Sequence, residues 1–177
     1  MESSISYKMQ PFNNICKTNS LKKYLKEQVI ERNERKEIGR ICEYLIECIN
    51  EDGFITDDIR DIAVDITQSY DMVNYSLKII QNLQPWGIGA KDIKESFKIQ
   101  LSKRNIYDYK IYEIIYNFME LFIDNKYKEL ANILNEDIKT IQQYAIIIKS
   151  LEPIPSRSLT SVGASEYQDI AFAQVIK

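Results

Sequence analysis

The chain has 177 residues, of which 45% are hydrophobic and 28% are charged, a balance that excludes a disordered polymer and favours a globular protein. Its five glycines and four prolines leave few turns or sheet corners, so long helices are expected. Histidine is absent, which removes the commonest general base and most zinc or iron sites. A net charge of −3 also disfavours an isolated nucleic-acid module, which normally has a basic excess.

The sequence also limits the compartment and the chemistry. No segment reaches the ~20 uncharged apolar residues of a membrane helix, and the amino terminus lacks the pattern of a signal peptide. Three cysteines, Cys16, Cys42 and Cys48, form no CxxC pair and are odd in number, which argues against a disulfide framework or a zinc site. We therefore predict a cytoplasmic protein without membrane contact, catalytic residues, metal or cofactor.

The first helices follow from apolar spacing. Residues 1–20 are polar, lack helical periodicity and are predicted to form a flexible leader, with the first helix starting at Leu21. An apolar stripe with the i, i+3, i+4, i+7 spacing of an amphipathic helix comes next: Ile38, Ile41, Cys42, Leu45, Ile46 and Ile49. Residues 50–53 end this helix, and Thr56 is predicted to cap the following one.

The later helices complete an all-α protein. One is predicted to begin after Ser69 and to end at Pro85, because proline cannot continue a helix. The remaining apolar stripes predict four more, over residues 90–104, 108–123, 127–134 and 138–151. Residues 161–177 are predicted to form a tail.

A weak internal repeat is present in the sequence. The segment from Asp61 to Pro85 aligns with the segment from Glu129 to Pro153 at a constant offset of 68, without gaps. Ser69 and Asp137 each supply a capping side chain between the two helices of their copy. Each copy has the layout of a helix-turn-helix unit. The likeness is explained either by duplication or by the general similarity of short amphipathic hairpins.

A helix-turn-helix layout raises the possibility of DNA binding. In the second copy, the side chains that would face a major groove are Lys139, Thr140, Gln142 and Gln143. Acidic residues flank this helix and would repel phosphate. A packing unit is therefore favoured, and a DNA-binding helix-turn-helix regulator is kept as the alternative function, beside a general helical scaffold.

Two glycines precede the helix predicted over residues 90–104. Gly87 and Gly89 could form a phosphate-binding turn, since a helix start attracts anions. A dinucleotide site would need a preceding strand and a third glycine where Asp92 stands. We therefore interpret Pro85, Gly87 and Gly89 as a structural turn that connects two helices tightly.

Three segments of the chain resemble one protein family. Residues 83–95, with the sequence LQPWGIGAKDIKE, resemble the Gly-hydrophobic-Gly-Ala-basic-Asp signature of sigma-54 factors, an alternative family of bacterial RNA polymerase sigma factors. Residues 51–56 (EDGFIT) and 151–157 (LEPIPSR) are similar to two further family segments, in the same order. Lys91 stands where arginine is usual, and Ser156 where glycine is usual.

The resemblance spans residues 21–159 and implies the core-binding region of such a factor. It implies two packed helical subdomains, residues 21–123 and 124–160, of which the second is helix-turn-helix-like. It also implies docking on core RNA polymerase, including the flap of its beta subunit. The contact residues we predict are Trp86, Lys91, Lys94 and Arg157, although Trp86 could instead be a buried staple over the helix junction.

The family's other parts are not recognised in this sequence. These are the activator-responsive segment rich in glutamine and leucine, the promoter-reading helix-turn-helix and the terminal arginine-rich box. We therefore expect the chain to be a fragment. Promoter DNA would be contacted only through parts absent from it, and an ATP-dependent activator would act on it only indirectly.

Overall fold

The computed structural model describes residues 10–159, and side chains within 20–158. In this part of the chain there are nine α-helices and one 3₁₀ helix: α1 (Gln10–Glu31), α2 (Lys36–Glu47), α3 (Ile59–Asp65), α4 (Tyr70–Gln81), α5 (Ile93–Lys103), α6 (Tyr109–Asn117), α7 (Met119–Ile123), α8 (Tyr127–Leu134), α9 (Ile138–Lys149) and the 3₁₀ helix (Pro155–Leu159). Helix accounts for 66% of the structure, which confirms the all-α prediction. None of the described helices is both long and apolar enough to cross a bilayer.

Several predicted helix bounds differ from the structure, and three differences change the layout. Helix α1 begins at Gln10, so the expected leader is helical from that residue; Pro11 is compatible because the first turn needs no N–H donor there. Residues 1–9 and the expected tail lie outside the described residues. Helix α5 begins after Asp92, whose side chain caps it. The single helix predicted over 108–123 is two helices, since Phe118 leaves helical geometry at φ −128°.

Acidic and hydroxyl side chains mark the helix starts. The predicted caps Ser69 and Asp137 accept hydrogen bonds from the N–H groups of Met72 at 3.3 Å and Thr140 at 2.7 Å. The prediction of Thr56 as a cap is wrong. Asp58 takes that role, because the chain runs extended from the isolated parallel bridge between Phe54 and Ala90 before α3 begins.

Two hydrophobic cores organise the described residues. The first is formed by α1 to α4 together with Ile49, Ile55 and Ile88. The second is formed by α5 to α9 and extends from Phe97 to Leu151. The predicted boundary at residue 123 assigns α5, α6 and α7 to the first subdomain, but these three helices pack in the second core. Periodicity identifies the apolar face of a helix but not the face against which it packs.

The repeat seen in the sequence is also present in the structure. An offset of 68 carries the bounds of α4 onto those of α9 without any shift. The turns that precede them each contain a left-handed residue, Thr67 at φ 55° and Asn135 at φ 51°. Equivalent backbone hydrogen bonds close both turns: Gln68 N to Ala63 O and Glu136 N to Ala131 O, each 2.9 Å long.

The equivalence extends to the helices upstream. An offset of 72 aligns residues 21–33 of α1 with residues 93–105 of α5, and five positions are identical: Lys22/Lys94, Lys26/Lys98, Gln28/Gln100, Arg32/Arg104 and Asn33/Asn105. An offset of 73 aligns α2 with α6 and α7, where buried apolar residues coincide: Ile38/Ile111, Ile41/Ile114, Cys42/Ile115, Ile46/Met119 and Ile49/Phe122. Agreement over whole halves indicates duplication, since chance likeness of two hairpins would not include the preceding helices.

The paired turns give a stability prediction. Thr67 is exposed and β-branched, and such residues are strained at positive φ, whereas asparagine tolerates this region. We expect Thr67→Asn to raise the free energy of unfolding by about 0.5 to 1 kcal/mol. Chemical denaturation measures this change. The reciprocal variant Asn135→Thr should lower stability by a similar amount, and shifts of the same sign in both variants would contradict the equivalence of the turns.

Cys42 and Cys48 are unpaired in the structure, whereas the side chain of Cys16 lies outside the described residues. Burial raises the pKa of the Cys42 thiol to about 11. This thiol therefore stays protonated and serves the first core as a small apolar side chain.

The junction of the three motifs

The three segments that carry the family resemblance meet at one place, here called the motif junction: residues 50–56, 84–92 and 151–157. The N–H of Gly89 donates to the carbonyl of Gly53, and the N–H of Ile55 donates to the carbonyl of Ala90, both at 2.9 Å. On the other side, the N–H of Ser156 donates to the carbonyl of Asp52 at 3.3 Å. The segment 50–56 therefore links the other two, which are far apart in sequence.

A single asparagine shapes the segment 50–56. The Oδ1 atom of Asn50 accepts hydrogen bonds from three successive N–H groups, those of Asp52, Gly53 and Phe54, at 2.9 to 3.0 Å. Gly53 has φ +102°, and a Cβ there would lie 2.7 Å from Cδ1 of Ile88. The Asp-Gly-aromatic motif thus forms a tight turn that packs closely against Ile88.

The glycines of the structural turn are both required by the backbone. Gly87 has φ +94°, and an added Cβ would collide with Ser96 Oγ and lie 2.9 Å from Nε2 of Gln100. Gly89 has φ +69°, and its Cβ would lie 2.9 Å from Cγ2 of Ile80. The preceding peptide bond, between Gln84 and Pro85, is cis.

Carboxylates occupy the start of α5. Asp92 Oδ1 accepts from the N–H of Glu95 at 2.8 Å, and Glu95 Oε2 accepts from the N–H of Lys91 at 2.8 Å, an arrangement close to a capping box. Gln81, which is buried, donates to Glu95 Oε1 at 3.2 Å and to the carbonyl of Gly89 at 3.1 Å. The helix start therefore already holds two anionic side chains, as expected for a tight helix connection rather than a phosphate site.

A pair of glutamines holds the residues that precede two prolines. Gln100 donates to the carbonyl of Glu152 at 2.8 Å and accepts from its N–H at 2.9 Å. Gln28 makes the same two bonds to Gln84, at 2.7 and 2.9 Å. We call each arrangement a glutamine clamp. The identical Gln-x-x-x-Arg-Asn pattern in α1 and α5 was the sequence signal for these clamps, and sequence reasoning did not use it.

An arginine accompanies each clamp, one helical turn further along. Arg32 donates to the carbonyl of Asn82 at 3.2 Å. Arg104 donates to the carbonyl of Ser150 at 2.9 Å and to its hydroxyl at 2.7 Å. Both acceptors are residues at the carboxyl end of the equivalent helices α4 and α9, so each arginine satisfies a carbonyl that its helix leaves unpaired.

The predicted contact residues lie at the surface of this region. Trp86 is 39% exposed, so its ring is partly covered and partly open to solvent. Lys91 and Lys94 are exposed, and the ammonium group of Lys94 donates to the carbonyl of Tyr116 at 2.9 Å. Arg157 is exposed on the 3₁₀ helix and directly follows Ser156, whose N–H donates to the carbonyl of Asp52. Trp86 and Lys91 thus lie in the turn, Lys94 in the first turn of α5, and Arg157 on the 3₁₀ helix.

Glu152 has a distinct electrostatic environment in the junction. Desolvation raises the pKa of its carboxyl group, and this effect is opposed by the hydrogen bond from the N–H of Ile154 and by the charge of Arg157. The carboxylate is therefore part of the local backbone structure.

Together, these features define a helical binding module whose motif residues hold two bundles together and present exposed cationic and aromatic side chains. Comparison with known families matches residues 10–174 to the family described as "Sigma-54 factor, core binding domain". The chain belongs to this family of sigma-54 core-binding domains.

Named relatives agree with the family. A Clostridium kluyveri protein named as a sigma-54 factor is 36% identical over 159 residues, covering 90% of this chain and 35% of the relative. The RNA polymerase sigma-54 factor of Salmonella typhimurium is 29% identical over 157 residues, covering 85% and 32%. That of Bacillus subtilis is 26% identical over 136 residues, covering 77% and 31%. The chain thus spans about a third of the length of these curated relatives.

Proposed function

We propose that this chain binds core RNA polymerase as the core-binding part of a sigma-54-type transcription initiation factor. The observation that carries the proposal is the exposure of Trp86 and Lys91 on a turn held by glycine geometry and by the motif junction, beside the exposed Lys94 in the first turn of α5. Exposed aromatic and cationic groups on a fixed backbone are typical of binding hot spots. The family match and the names of the relatives support the same function.

The mechanism is recruitment, and no covalent step is involved. The turn at residues 85–92 docks on the polymerase, with the flap of the beta subunit as one contact. The docked factor directs the enzyme to promoters through parts that lie outside this chain. An ATP-dependent activator acts on the complex indirectly, through another region of the factor. Because the junction fixes the turn in the free chain, little ordering free energy is lost on binding.

Lys91 in the turn and Lys94 at the start of α5 provide a direct test of the proposed function. Lys91→Glu combined with Lys94→Glu is expected to weaken binding to core polymerase by about tenfold or more, since reversed charges at an interface are repelled. The melting temperature should stay nearly constant, because exposed charges contribute only about 0 to 1 kcal/mol to folding. Fluorescence anisotropy of labelled chain, titrated with core polymerase, measures the affinity.

A matched control is available on other helices. Lys36 and Lys128 are exposed, lie in the first turns of α2 and α8, and their side chains make no hydrogen bond or ion pair with a described residue. Lys36→Glu with Lys128→Glu changes the net charge equally and should leave binding unchanged. If the Lys91/Lys94 variant binds core polymerase with full affinity, these lysines are not part of the interface.

The alternative of a DNA-binding regulator is tested by gel shift with duplex DNA at low salt. The expected result is no specific promoter binding by the chain alone. Lys139, Gln142 and Gln143 are exposed on α9, but Glu136 and Asp137 precede them at the start of that helix. Tight, sequence-specific binding would overturn the proposed function.

A further inference from the structure

A lysine-lined groove lies beside the turn, between α4 and α5. It has a volume of about 370 Å³, and its charged lining consists of Lys78, Lys91, Lys98, Lys103 and one carboxylate, Glu95. Three of these lysines, Lys78, Lys98 and Lys103, stand on helices rather than in the turn motif. Sequence reasoning did not group them because they belong to two different helices.

The groove lysines have no carboxylate partner in the described part of the chain. The ion pairs found there involve other lysines, such as Lys26 with Glu47 at 2.7 Å. Lys26 is the counterpart of Lys98 in the first half of the repeat, so the same position is neutralised in one half and left unneutralised in the other. Glu95 is the one carboxylate in the groove lining against four lysines, and its two oxygens accept hydrogen bonds from Lys91 N–H and from Gln81.

The groove also has an apolar component. Ile99 is half-buried in its wall, and Tyr116 presents an exposed ring at its edge. An aliphatic and aromatic surface between lysines suits a peptide, whose side chains can pack while its carboxylates meet the ammonium groups. A duplex phosphate backbone would instead be repelled by the remaining surface, since the chain carries a net charge of −3.

We propose that this groove binds an acidic peptide segment of core RNA polymerase. The proposal rests on the proposed function. It adds a second polymerase contact beside that of the turn, and the partner surface at this contact is acidic. Lys98 and Lys103 are the residues that would distinguish it from a contact made by the turn alone.

The first test uses Lys98→Glu with Lys103→Glu in the full chain, titrated with core polymerase. Affinity is expected to fall about tenfold at 0.1 M salt and by less at 0.5 M, where the Debye length is shorter. The Lys36→Glu, Lys128→Glu variant is the control for net charge, and circular dichroism melts check that each variant is folded. If the Lys98/Lys103 variant binds polymerase as tightly as the wild-type chain, the proposed groove contact is wrong, while the proposed function is unaffected.

A second test identifies the partner chemistry. A carbodiimide couples an ammonium group to a carboxylate without a spacer, so treatment of the complex should join Lys98 or Lys103 to aspartate or glutamate residues of one polymerase segment, identified by mass spectrometry. Cross-links that involve none of Lys78, Lys98 and Lys103, or duplex DNA binding that is lost in the Lys98/Lys103 variant, would overturn the proposal. Failure of the wild-type chain to bind polymerase at all would instead refute the proposed function.

Discussion

Gly87→Val is expected to lower the free energy of unfolding by about 3 kcal/mol. A β-branched residue at φ +94° is strained by roughly 1 to 2 kcal/mol, and forcing extra methyl groups into a filled site adds about 1 to 3 kcal/mol. The site is filled because Ser96 Oγ and Gln100 Nε2 occupy the space a side chain would need. Urea denaturation followed by circular dichroism measures the loss, and Gly89→Val should behave similarly.

Gly39 supplies the matched control for these variants. It lies within α2, and a Cβ there has no heavy atom within 4 Å. Gly39→Val should therefore leave stability unchanged or slightly higher, since valine has a better helix propensity than glycine. If Gly87→Val and Gly89→Val both stay within about 0.5 kcal/mol of the parent, the turn is a flexible linker and its interpretation as a rigid support is wrong.

Gln100→Leu is expected to reduce the free energy of unfolding by about 2 to 4 kcal/mol. Leucine has a similar volume but leaves both the N–H and the carbonyl of Glu152 without their partners, at about 1 to 3 kcal/mol for each buried group. Gln100 itself is only 2% exposed, so water cannot easily replace the lost bonds. The same urea titration measures this loss.

The first clamp provides the internal comparison. Gln28 makes equivalent bonds to Gln84, but its side chain is half-exposed and those bonds lie at the surface. Gln28→Leu should therefore cost clearly less than Gln100→Leu, because water can satisfy the groups of Gln84. Equal losses in the two variants would show that burial does not set the strength of a clamp.

The parts of the fold that depend on neighbours in sequence were predictable. Ser69 and Asp137 cap helices as predicted, because a cap bonds an N–H only three residues away. Helix α8 begins and ends where its apolar spacing indicates. Helix α1 was predicted too short because the polar stretch from Gln10 has no apolar stripe of helical spacing.

The parts that depend on distant residues were not predictable in the same way. The glutamine clamps join residues 52 and 56 positions apart, so neither a spacing nor a propensity indicates them. The same limit explains the division of the cores and the groove lysines, which come together only when α4 packs beside α5. Of the candidate contacts, those predicted from the sequence lie within the motif segments 83–95 and 151–157, since each motif is one continuous stretch.

Because the two halves of the chain have equivalent helices, each position in one half can be compared with its counterpart in the other. Gln28 and Gln100 recur in both halves and make equivalent bonds, so the clamp belongs to the backbone plan that the halves share. Residues that have diverged between the copies record what each half became after the ancestral gene was doubled. Lys103 lines the groove, and its counterpart in the first half is Glu31. Lys78 also lines the groove, and its counterpart in the second half is the exposed Ile146. The shared backbone plan therefore does not require lysine at these two positions, and their positive charge belongs to one half only.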